Sequence, residues 1–164
     1  MLVLDRAALT SLGPVCARVL RALGARVHVA RGSEGVVDGE SLPVDELSRE
    51  WEWETTPELA FVVADGLDEA VALHNSHSPH FVASVLSRRE AAFEEFYGRV
   101  DAPYVGNAFT RWVDGQWAWN RPELGLTNWE HGRLLGRSGF LSGDDIVTVR
   151  DVFIDTTSEA PQQR

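Results

Sequence analysis

Short apolar runs alternate with helical patterns over the first two thirds of the chain. Leu2-Val3-Leu4 reads as a buried strand. Ala7 to Leu23 follows, with Leu9, Leu12, Cys16, Val19, Leu20 and Leu23 at helical spacing, and Gly24 ends that helix. Ala25 to Ala30 alternates like a strand, and the glycine-rich polar stretch Arg31 to Ser41 reads as a loop. Glu50-Trp51-Glu52-Trp53-Glu54 alternates acid and aromatic, as a half-buried extended segment does. Leu59 to Ala64 is continuously apolar, which predicts a central parallel strand. After the Asp65-Gly66 turn the pattern predicts a short helix over Leu67 to Asn75, a strand over Phe81 to Leu86, and an amphipathic helix over Arg88 to Val100. That last helix carries Ala92, Phe93, Phe96 and Val100 on one face. Pro103 to Asn107 is again a strand. Strands alternating with helices predict a parallel sheet covered on both faces, a three-layer α/β domain.

From Ala108 to Asp145 the periodicity fades, and six glycines and four tryptophans occupy the stretch. Long irregular segments of this kind in α/β proteins build sites or interfaces. Ile146 to Ile154 then reads as a long final strand, and Thr156 to Arg164 as a polar, disordered tail. The organisation expected is one domain over residues 1–155 and a tail over 156–164.

Composition narrows the function classes. A chain of 164 residues with 44% hydrophobic content supports one ordinary core. No apolar run approaches the ~20 residues of a membrane span. The apolar start, Met1 to Leu12, is interrupted by Asp5 and has no basic segment before it, so no signal peptide is expected. A formal net charge of −10 disfavours nucleic acid, because the arginines are spread along the chain and form no basic patch. All 15 basic residues are arginine, which removes a lysine Schiff base or P-loop lysine. One cysteine permits no intrachain disulfide and no cysteine metal cluster, and the setting expected is cytoplasmic.

Four groups of residues could carry chemistry. His74, His77 and His80 are spaced H-x-x-H-x-x-H, but the third is turned round the helix and Pro79 breaks it, so no metal site is expected. Asn107, Thr110 and Arg111 lie just past a strand's carboxyl end, where α/β sheets place ligands. Arg111 there suits a carboxylate or phosphate. The alternative is a structural turn in which Arg111 pairs with Asp114. Trp112, Trp117, Trp119 and Trp129 form either a stacking platform or an interface. Cys16, mid-helix at a core position, has no neighbouring base and reads as packing.

Three stretches carry a family resemblance. Asn107-Ala108-Phe109-Thr110-Arg111-Trp112-Val113-Asp114-Gly115 is similar to the N-A-S-T-R-F-x-D-G of the γ-glutamyl phosphate reductases (glutamate-5-semialdehyde dehydrogenases) of the aldehyde dehydrogenase superfamily, and Glu123-Leu124-Gly125-Leu126 continues it without a gap. Leu59 to Ala70 resembles that family's L-A-V-K-V-V-D-S-L-D-E-A, and Ser78-Pro79-His80 its S-x-H. The resemblance implies a partial aldehyde-dehydrogenase-type catalytic domain whose last strand serves oligomerisation. It implies that Asn107, Thr110 and Arg111 border a substrate cleft, that His80 shapes its base, and that Glu123 contacts a nicotinamide ribose.

The departures from the family matter too. Met1-Leu2-Val3-Leu4 occupies the family strand that follows the nucleophilic cysteine, so the chain is expected to begin after the nucleophile and without the cofactor domain. Val62 replaces the family's Lys and Phe109 its Ser. The resemblance with these departures implies a pseudoenzyme that acts through self-association, built on Ile146 to Ile154, or through a protein partner. Two alternatives stay open. One is half of a split NADPH-dependent enzyme of proline biosynthesis, with NADP bound only by the partner chain. The other is a small-anion binding module using the old substrate cleft.

Overall fold

The structure, a computed structural model, describes residues 1–30, 32–51, 53–80, 82–102, 104–107, 129–130, 133–134, 150 and 152. Four strands form a parallel sheet in the order β1-β4-β2-β3: β1 is Leu2–Asp5, β2 Arg26–Ala30, β3 Glu40–Leu42 and β4 Glu58–Ala64. β4 sits centrally, pairing Leu2 with Phe61 on one side and Arg26 with Glu58 on the other. Its alternate residues feed two cores. Phe61 and Val63 join Leu4, Val27 and Val29 under helix α1, Leu9–Ala22. Ala60 and Val62 join Ala30, Leu42 and Leu47 on the opposite face, where Trp51 and Leu73 close over them. Leu73 belongs to helix α2, Leu67–His77. Helices therefore cover both faces, as the continuous apolar run of β4 requires. Phe61 is 0% exposed, and burying such a side chain contributes about 1.5–3 kcal/mol.

Two further strands, β5 (Val82–Ser84) and β6 (Tyr104–Gly106), pair in parallel around helix α3, Glu90–Tyr97. Parallel neighbours need such a crossover. α3 buries Ala92 and Phe96, and Phe96 clusters with Val71 of α2 and Ala83 of β5. Asn75 ties the end of α2 to the approach to β6, donating to the Arg99 carbonyl at 2.9 Å and accepting from the Asp101 N–H at 2.9 Å.

The structure departs from the pattern reading in several places. The glycine-rich stretch after β2 runs into β3, a short edge strand that its polar residues do not announce. Trp51 is in no strand. Its ring lies 3.7 Å from that of His28 at 6°, with the Arg49 guanidinium 4.3 Å from its centroid. Leu12, Val19 and Leu23, which share the helical spacing of Leu9, Cys16 and Leu20, are exposed, because the sheet covers only the side of α1 that bears Leu9, Cys16 and Leu20. Within the tryptophan-rich stretch, β7 (Trp129–Glu130) and β8 (Arg133–Leu134) pair antiparallel. Of 146–154 only Arg150 and Val152 are described, both exposed and in no strand, so the expected final strand otherwise lies outside the described residues, as does the tail.

Candidate functional site

The carboxyl ends of β5 and β6 carry the best-placed site. Val85 N–H bonds the Gly106 carbonyl at 3.0 Å, which extends the ladder one step and sets Asn107 beside the start of α3. Arg89 is the N-cap of α3, and in the turn before it Ser87 Oγ accepts the Arg89 N–H at 3.1 Å. The turn into α3 and the end of β6 enclose an open cavity of about 280 Å³. Val85 and Phe93 supply its apolar lining, Ser87 and Asn107 its neutral polar groups, and Arg89, Glu90 and Glu94 its charges.

Electrostatics limit what this lining holds. Arg89 is already engaged, donating to both carboxylate oxygens of Glu95 at 3.1 and 3.0 Å. That leaves the carboxylates of Glu90 and Glu94 in excess around Asn107. The described lining therefore suits a neutral or cationic polar ligand better than an anion. An anion there depends on Thr110 and Arg111, which lie outside the described residues, as does Glu123.

His80 stands elsewhere. It precedes β5, at the amino end of the ladder, whereas Asn107 follows β6 at the carboxyl end, so the two do not meet. His80 adopts a left-handed backbone at φ 53°, and its N–H donates to Ser78 Oγ at 3.2 Å. Ser78 Oγ also lies 3.0 Å from His74 Nε2. His74 further bonds the backbone of Asp101, and burial, then the charge of His80, pushes its pKa down to about 4. His77 Nδ1 is held separately, 3.0 Å from Ser48 Oγ. His74 and His80 thus share Ser78 Oγ and meet edge to face with ring centroids 6.4 Å apart, while His77 is held by Ser48, and among the described residues no group of three or more metal-ligating side chains converges.

Cys16 packs against the cluster of Leu4, Leu20, Phe61 and Val63, partly buried, in the setting of a small core hydrophobe. The described turns from strand to helix, at Asp5-Arg6, Asp65-Gly66 and Val85 to Arg89, lack the glycine-rich run that cradles a dinucleotide diphosphate. No helix among the described residues is long and apolar enough to cross a membrane.

Ser87, Glu90 and Glu94 were not among the candidates raised by the sequence. No local signal marks them, since the cavity forms only where the turn into α3 meets the end of β6.

No family profile matches the chain. Sequence comparison finds the gamma-glutamyl phosphate reductase of Bifidobacterium adolescentis, 31% identical over 120 residues, 70% of this chain and 28% of that protein. The enzyme of the same name from Bradyrhizobium diazoefficiens is 33% identical over 117 residues, 70% of this chain and 26% of that protein. The chain thus spans about a quarter of the length of the curated relatives it matches. The crystal structure of gamma-glutamyl phosphate reductase from Thermotoga maritima superposes with a TM-score of 0.70 at 18% identity, covering 93% of this chain and 37% of that one. The parallel sheet with its flanking helices is shared with that structure, and with the sequence matches it identifies the chain as a homologue of part of gamma-glutamyl phosphate reductase.

Proposed function

We propose that the chain is a gamma-glutamyl phosphate reductase-like domain that does not itself carry out the reductase reaction and acts through association, with itself or with another protein. The place of Cys16 carries this reading. Acyl-phosphate reduction through a covalent intermediate needs a thiolate that a substrate can reach. The chain's one cysteine instead faces the sheet under α1, among Leu4, Leu20 and Phe61. The purified chain is expected to show no NADPH-linked turnover of acyl phosphate or aldehyde. Turnover that Cys16→Ser abolishes overturns the reading and makes Cys16 the nucleophile. Turnover that appears only on mixing with a second polypeptide identifies the partnership as a split reductase.

The cavity beside Asn107 supports a second reading, a small-molecule binding module. Titrating proline and a small organic amine, with glutamate and phosphate as anionic comparisons, while following tryptophan fluorescence tests it, with Asn107→Ala as control. A saturable response that this variant loses supports binding at the cavity, and no response to any of the four removes it.

A further inference from the structure

Helix α1 presents a second apolar face that the described residues leave exposed. Leu12, Val15, Val19 and Leu23 fall within about 80° of one another at 100° per residue and run about 16 Å along the helix. They are 45%, 37%, 47% and 58% exposed. The charge beside them has one sign: α1 contains Arg18 and Arg21 and no acidic residue. Arg21 pairs with Asp38, whereas Arg18 enters no ion pair among the described residues.

Helix α3 has the complementary pattern. It contains Glu90, Glu94 and Glu95 and no basic residue. Glu95 is taken by Arg89, while Glu90 and Glu94 are exposed and outside any ion pair among the described residues. Beside them Phe93 and Tyr97 stack at 6.4 Å and 15°, and Tyr97 is 62% exposed. An apolar face with an unpaired base and an apolar face with two unpaired acids therefore lie on one molecule.

From this we infer that a second copy of the chain is the occupant of the α1 stripe, seated through its own α3. Pairing α1 with α1 would bring Arg18 toward its own copy, whereas α3 sets Glu90 and Glu94 opposite Arg18. Two different surfaces make the contact, so assembly is head to tail. A pair of short helices buries less than the ~800 Å² per partner of a stable interface, so association is weak, concentration-dependent and reduced by salt. The inference rests on the association reading above and names its partner.

Two exposed positions give the test. Val19→Glu places an acid in the stripe, and Tyr97→Arg places a base on the acidic face, with circular dichroism confirming each fold. Sedimentation of the wild type should show average mass rising with concentration, and each variant alone should weaken assembly by at least tenfold. Mixing the two should restore a 1:1 dimer, because one keeps α3 intact and the other keeps α1. Should Val19→Glu not fold, Leu12→Glu replaces it. A wild type that stays monomeric up to about 1 mM overturns the inference. So does a Tyr97→Arg variant that assembles like wild type, or a mixture without dimer. Turnover measured on the same samples reports separately on whether the chain is catalytic.

Discussion

Replacing Ser33 by alanine removes a single buried acceptor between the loop after β2 and the central strand. Pairing of β2 with β4 ends at Val29 and Phe61. Two residues on, the backbone N–H of Val63 donates to Ser33 Oγ at 2.8 Å. Ser33 is 2% exposed, so water does not replace the hydroxyl. Its own N–H bonds the Ala30 carbonyl at 3.0 Å, a turn that alanine can keep. The substitution therefore leaves the loop in place and strands one buried donor.

An unsatisfied buried N–H costs about 1–3 kcal/mol. For a chain of this length each kcal/mol lowers Tm by about 2–4 °C, so the expected drop is about 2–12 °C. Urea unfolding followed by circular dichroism should give a lower midpoint at an unchanged slope, as expected when the unfolded state is untouched. Hydrogen exchange should show faster exchange at the Val63 amide in particular. A stability change below about 0.5 kcal/mol, together with unchanged protection at Val63, refutes the reasoning, because that combination requires another acceptor for this N–H.

Gly39→Ala should destabilise by about 1–3 kcal/mol in the same urea assay, since a Cβ there would stand 2.4 Å from the Val27 carbonyl oxygen, a backbone atom that cannot swing aside. His74 stays neutral in the fold with its pKa lowered to about 4, so the unfolded chain binds its proton first as pH falls. Stability should decline between about pH 6.5 and pH 4 and level below that, and Ser78→Ala should leave the window in place because burial is its main cause; an NMR titration of the His74 ring checks both. Glu58 is held below the ordinary carboxylate range, chiefly by the hydrogen bond to His28 at 2.8 Å and then by the charge of Arg26. Its contribution is complete above the ordinary carboxylate pKa and is lost as pH falls through the lowered folded value, and Glu58→Gln should flatten that limb of a stability-against-pH curve.

Most of the element order was legible from periodicity, since the residues that decide it are also the residues that are buried. Leu59 to Ala64 is apolar without a break, and β4 is flanked on both sides and packed on both faces. Ala92, Phe93, Phe96 and Val100 were read as one face of a helix; Ala92, Phe96 and Val100 are buried at that helix and its exit, while Phe93 is only half-buried. β3 was not legible, because Glu40 and Ser41 are exposed at the sheet edge and only Leu42 turns inward. There the strand is formed by parallel pairing to His28, Val29 and Ala30, a contact that no local pattern records.

The same distinction separates what was legible of the candidate sites. Asn107 could be singled out because the end of a strand is a local feature and ligands gather there. Glu90 and Glu94 could not, since they face Asn107 only after α3 has crossed from β5 to β6. Spacing on α1 found apolar positions without saying which of them the sheet would take. Leu9, Cys16 and Leu20 went to the sheet, and Leu12, Val15, Val19 and Leu23 were left to solvent. A helix whose apolar arc is wider than the sheet beneath it has area to spare, and what occupies that area is set by the unpaired charges beside it.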